Sequence, residues 1–155
     1  MRLSSTDIAN FPKFAQYVRR RMPEVLGVPV IVNNIRRFGT LSRTQFQHAL
    51  VWGNDPLVII TDLSNGQCGV PAANGCFRTT NPSQIEIDLE RVQDFEDDPN
   101  GRGTDLTSTS RRVFIVGTTM LHELCHWGHV VNSIAEPANE PGIAFEVATY
   151  GRNTG

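Results

Sequence analysis

Apolar residues along this chain change period several times, and each change marks an element. In FPKFAQYVRRRMPEVLG (11–27), Phe14, Tyr17, Val18, Met22 and Leu26 recur at near-helical spacing; Pro23 should kink or break that helix and Gly27 stop it. The short, β-branched VPVIVNNI (28–35) predicts a strand. LSRTQFQHALVWG (41–53) predicts a second helix, with Ser42 as N-cap and Gly53 as its end. PLVIITDL (56–63) has the apolar run of a buried strand, whereas QIEIDLE (84–90) alternates as a half-exposed strand does. A short helix through LERVQDFEDD (89–98) follows, then the polar surface loop DDPNGRGTDLTSTS (97–110). Ser110 is placed to cap a long helix over about 110–131. The turn NSIAEPANEPG (132–142) leads into a closing helix over about 140–150 that stops at Gly151.

No repeat and no linker interrupts this order, so the 155 residues predict one α+β domain, long enough to bury a core unaided. Hydrophobic residues make up 39% and charged residues 19%, with a formal net charge of −2. Mixed charge argues against a nucleic-acid partner, and the run Arg19-Arg20-Arg21 reads as a solvated helix face. No apolar stretch approaches the roughly 20 residues that span a bilayer. The N-terminus shows no Sec-type signal peptide, which leaves a cytoplasmic protein, one exported by another route, or a piece of a longer chain.

Cys68 and Cys76 bracket CGVPAANGC, a Gly/Pro/Asn turn that brings its ends together. They are either a disulfide, which would point to an oxidising compartment, or two free thiols. Cys125 lies elsewhere, among histidines.

Three of the four histidines fall in TTMLHELCHWGHVVN (118–132). On a helical wheel His126, His129, Thr118 and Thr119 lie within about 60° of His122. Val113, Val116, Gly117, Met120, Leu121, Leu124, Trp127 and Val131 gather opposite as a core face. His122-Glu123-Leu124-Cys125-His126 is HExxH. Two histidines at i and i+4 rise about 6 Å and point the same way, so both imidazoles can reach one Zn2+. Glu123 sits about 100° round, a poor ligand but able to take a proton from a water on the metal. His129 lies about 10.5 Å from His122 along a straight helix, too far to share the ion without a break at Gly128. It either faces substrate and polarises the transition state, or is a plain exposed histidine.

Catalytic zinc wants a third protein ligand. Glu136 sits in a turn and reads as solvated. Glu140, at the start of the last helix, is favoured there by the helix dipole anyway and is the reserve candidate. Glu146, mid-helix among apolar neighbours, needs a partner and is the leading candidate. Tyr150, four residues on, could hydrogen-bond a developing oxyanion, or could be a capping or core tyrosine.

By these residues the chain resembles the zincin superfamily of metallopeptidases, in particular its glutamate-liganded branch, the gluzincins. That resemblance implies zinc on His122, His126 and Glu146, with Glu123 as general base. It also implies a long active-site helix under a small sheet whose edge strand holds the substrate by backbone pairing; QIEIDLE or PLVIITDL could supply that edge. The ending EPGIAFEVATYG (140–151) is similar to the closing pattern of small metallopeptidase domains in bacterial toxins and secretion-system effectors. The chain departs from gluzincins where Tyr150 stands in the position of an aspartate, and from metzincins where Gly128 and His129 come too early.

The resemblance implies a zinc metalloendopeptidase that cuts a protein or peptide substrate. The expected setting is a toxic effector delivered by a specialised secretion system, with the periplasm of a target cell as the expected place of action and a cognate immunity protein as its opponent. Two rivals stand beside it: a zinc hydrolase of a non-peptide amide such as a cell-wall bond, and a non-catalytic zinc-stabilised binding domain.

Overall fold

A computed structural model describes residues 1–98 and 100–154. Its first third is helical: α1 (Ser5–Asn10), α2 (Pro12–Arg20), a 3-10 helix (Met22–Gly27), α3 (Pro29–Phe38) and α4 (Arg43–Leu50). The helix expected over 11–27 breaks after Arg20. Pro23 starts the tight turn that follows, where its missing N–H costs nothing.

The strand expected at VPVIVNNI is instead the first half of α3. Pro29 occupies the first turn, where its fixed φ suits a helix. Ile31 and Ile35, one turn apart, are buried, while Val28 and Val30 stay exposed. The apolar residues thus follow a helical period, which overrides the weak strand preference of β-branched side chains. At α4 the expected cap is present as a reciprocal box, with Ser42 and Gln45 exchanging side-chain-to-backbone hydrogen bonds.

Three strands form the main sheet in the order β1 (Leu57–Thr61), β3 (Gln84–Asp88), β2 (Gly75–Cys76). β1 runs parallel to β3, with Leu57 opposite Gln84 and Thr61 opposite Asp88; β2 runs antiparallel, with Cys76 opposite Glu86. β3 is buried on both faces, contrary to its alternating pattern. Its polar residues are satisfied inside: Glu86 accepts from Arg78 at 2.9 Å, and Asp88 accepts from the Leu63 and Glu90 amides.

After α5 (Leu89–Asp97), the polar segment expected to be loop contributes β4 (Thr104–Leu106), which pairs with β5 (Arg112–Phe114) as a hairpin. Ser110 therefore lies in the hairpin turn at φ +60° and caps nothing; the long helix α6 starts later, at Ile115, and runs to Val131. α7 spans Pro141–Tyr150 and ends where Gly151 adopts the left-handed conformation (φ +78°).

α6 is the central element, packed against β3, β2, α3, α5 and α7. Val116, Met120 and Leu124 are fully buried, each worth about 1.5–3 kcal/mol of hydrophobic stabilisation. Val131, expected on the core face, is exposed. Gly128 does not break the helix. It lets α6 approach the end of α3, since a Cβ there would fall 1.9 Å from the Gly39 carbonyl oxygen. The result is an α+β architecture that lays one face of α6 along an open cleft. No helix of the described residues is long and apolar enough to cross a membrane.

Candidate metal centre

α6 places His122 and His126 one turn apart, ring centroids 5.4 Å from each other, on the floor of a cleft of about 570 Å³. Each ring has two different neighbours. The Nδ1 atom of His122 donates to Glu146 Oε1 at 2.6 Å, and that of His126 donates to Glu136 Oε1 at 2.9 Å. On the opposite side both Nε2 atoms face one oxygen of Glu140, at 3.4 Å from His122 and 2.5 Å from His126. His122, His126 and Glu140 thus offer ligand atoms within 4.8 Å of one another.

The local sequence explains why Glu140 reaches this point. It is the N-cap of α7, where its carboxylate accepts from the Gly142 amide at 3.0 Å and from the Ile143 amide. Pro141 in the first turn fixes the direction of the entering chain. Capping and facing the imidazoles are therefore one geometry, not alternatives. Gly142 completes the approach, because any Cβ there would overlap the His122 ring.

Glu146, which the sequence puts forward as third ligand, lies on the other side of His122. It sits in the second turn of α7 and is only 3% exposed, so it meets the far ring nitrogen rather than the converging pair. Its second oxygen accepts from the Thr154 amide at 2.6 Å and the Thr154 hydroxyl at 2.8 Å. Glu136, expected to be solvated, is engaged by His126.

The electrostatics are those of a crowded carboxylate–imidazole cluster. Burial alone would pull the His122 imidazole down, but hydrogen bonds to Glu140 and Glu146 outweigh it and raise its pKa to about 10. His126 is raised in the same way against its burial, by Glu140 and Glu123 first. Burial opposes ionisation of Glu140, yet the two imidazoles hold it well below the usual carboxylate range. Glu123 is buried, and desolvation pushes it up to about 7 despite both histidines. It lines the cleft beside β2, where a Cβ on Gly75 would come 2.6 Å from Glu123 Oε1.

β2, only two residues long, has no strand pattern in the sequence. The substrate-holding edge was expected from QIEIDLE or PLVIITDL, but the first is the central strand and the second lies at the far edge. The near edge is Gly75–Cys76, held by a Cys68–Cys76 disulfide with Cα atoms 5.8 Å apart. The Gly/Pro/Asn turn between the two cysteines was the available signal. It forms one wall of the cleft, which Ile143 of α7 also lines.

Two other expected site residues do not face the cleft. His129 is 4% exposed; its Nε2 donates to the Phe38 carbonyl at 2.9 Å, and its Nδ1 is buried without a hydrogen-bond partner among the described residues. Tyr150 is 8% exposed and packs edge-on to Phe145. Burial raises its phenol pKa, by desolvation first.

The donor set can be tested against a cation by its own chemistry. Two imidazole nitrogens and one carboxylate oxygen converge, and each imidazole is tethered at Nδ1 by another carboxylate, which orients the ring so that Nε2 points to the shared position. These residues fit a metal, and with a buried carboxylate beside an open cleft they have the layout of a metal-dependent hydrolase. The chain belongs to the metallopeptidase toxin 3 family, whose model matches residues 7–151. Neither a curated protein nor a solved structure matches it. Family membership implies a metal ion and the peptide-hydrolysing activity of a toxin.

Proposed function

We propose that residues 1–155 are one catalytic domain, a zinc-dependent metalloendopeptidase that serves as the toxic effector of a bacterial secretion system. One observation carries this reading: the two Nε2 atoms face a single Glu140 oxygen while their Nδ1 atoms are held by Glu146 and Glu136. In it, His122, His126 and Glu140 hold Zn2+, a borderline cation suited to nitrogen and oxygen donors. Glu146 and Glu136 orient the imidazoles and are not ligands. When bound, the ion supplies Lewis acidity toward a water molecule and a peptide carbonyl. Glu123 takes a proton from the attacking water on a carboxylate oxygen and returns it to the leaving amine. The outer edge of β2, beside Glu123, offers backbone pairing to an extended substrate.

The disulfide beside the site favours action in an oxidising compartment, such as the periplasm of a target cell, after delivery by a specialised route. A producing cell then needs an immunity protein. The test is Glu123→Ala: the variant is expected to keep one zinc per chain and to lose both cleavage and toxicity. Cleavage at the native rate by this variant, or a native chain without stoichiometric transition metal after reconstitution, overturns the reading. Hydrolysis of peptidoglycan fragments but no protein in a substrate panel replaces it with a cell-wall amidase.

A further inference from the structure

The segment after α7 returns to the centre. Gly151 turns the chain back at φ +78°, and Arg152 ties the returning segment to β4 through Asp105 at 3.5 Å and the Leu106 carbonyl at 3.5 Å. Thr154 then lies 4% exposed beneath Glu146. Its amide and its hydroxyl both donate to Glu146 Oε2, at 2.6 and 2.8 Å, while Glu146 Oε1 receives the His122 Nδ1 proton at 2.6 Å.

The amide alone pins Glu146 Oε2 at one point, whereas amide and hydroxyl together fix the rotation of the buried carboxylate; with the hydroxyl gone the carboxylate can turn about the remaining bond, and the imidazole on its other oxygen turns with it. We propose that Thr154 is a positioning residue: its hydroxyl locks the Glu146 carboxylate so that His122 presents Nε2 to the cleft. The consequence for metal affinity rests on the ligand assignment proposed above; the effect on the His122 ring does not.

Thr154→Val removes the hydroxyl at nearly constant volume, and Thr154→Ser restores it. Zinc affinity, measured by competition with a chromophoric chelator, is expected to fall about 10-fold in Thr154→Val, as for other residues that hold a ligand's orientation, and to return within about twofold in Thr154→Ser. In the metal-free protein the 15N resonance of His122 Nδ1 should move in Thr154→Val and return in Thr154→Ser. An unmoved resonance overturns the proposal whether or not the chain binds metal. A serine variant as impaired as the valine variant overturns it too, because the methyl group rather than the hydroxyl would then matter. If the native chain takes up no zinc while the resonance behaves as described, the ligand assignment falls and the relay stands.

Discussion

Gly142 lies so close to His122 that a Cβ built on it would come 2.2 Å from the imidazole Cδ2. The contact couples the start of α7 to the ring that α6 presents, and the same turn of α7 carries Glu140 at its cap. Within a helix interior an alanine is preferred to glycine by about 1 kcal/mol. Gly142→Ala should nevertheless impair the protein, by pushing His122 off its Nε2 direction. Zinc affinity is expected to drop at least about 10-fold, as when a ligand's orientation is lost, with far-ultraviolet circular dichroism unchanged. Native affinity in this variant would mean that His122 tolerates displacement and is not a fixed ligand.

The opposite sides of the His122 ring separate the two acidic candidates. Glu140→Ser keeps a capping side chain for α7 but removes the carboxylate that faces both Nε2 atoms, so stoichiometric zinc should be lost. Glu146→Ala should still bind zinc, about 10–100-fold more weakly, because His122 loses its orienting partner. It should also lose about 1–3 kcal/mol in denaturant unfolding, since the buried Thr154 donors are left unpaired. Elemental analysis of the two purified variants decides the matter, and the reverse ranking would return the third ligand to Glu146.

What the sequence disclosed and what it withheld divide along physical lines. HExxH, the cap at Ser42 and the stop at Gly151 rest on contacts within a few residues, and all three are where local rules place them. VPVIVNNI has the β-branched composition of a strand, but the i, i+4 spacing of Ile31 and Ile35 and the helix-starting Pro29 decide for a helix. Which of Glu140 and Glu146 faces the two Nε2 atoms is not legible in the sequence. It depends on how the turn over residues 132–140 returns α7 across α6, a tertiary outcome with no local signature. The burial of Glu86 and Asp88 was equally hidden, since their partners Arg78 and the Leu63 amide come from neighbouring segments.

His129 shares the polar seam of α6 with His122 and His126 yet joins α6 to the end of α3 through the Phe38 carbonyl. His129→Ala should therefore act on stability alone. Losing this buried bond and leaving a cavity is expected to cost about 2–3 kcal/mol in denaturant unfolding. Zinc content and kcat/KM measured well below the melting temperature should stay within about twofold of native. A collapse in turnover at unchanged stability would restore His129 to the chemistry.

The Cys68–Cys76 disulfide joins the loop that walls the cleft to β2, whose Gly75 backbone rests against Glu123 and Thr119. Two consequences follow from removing it in a Cys68→Ser, Cys76→Ser double variant. By loop-closure entropy alone the fold should lose about 2.6 kcal/mol. A domain of this size would then melt roughly 5–10 °C lower. The second consequence is local. β2 is only two residues long, so without its covalent tie the wall beside Glu123 can drift from His122 and His126 on α6 and from Glu140 at the cap of α7. Zinc content should hold, while kcat/KM toward a protein substrate falls at least about 10-fold, the scale on which small misplacements act in catalysis. A fully active, destabilised variant would show that the loop supports the fold without shaping the site. Loss of zinc together with activity would instead place the disulfide's influence on the ligands themselves.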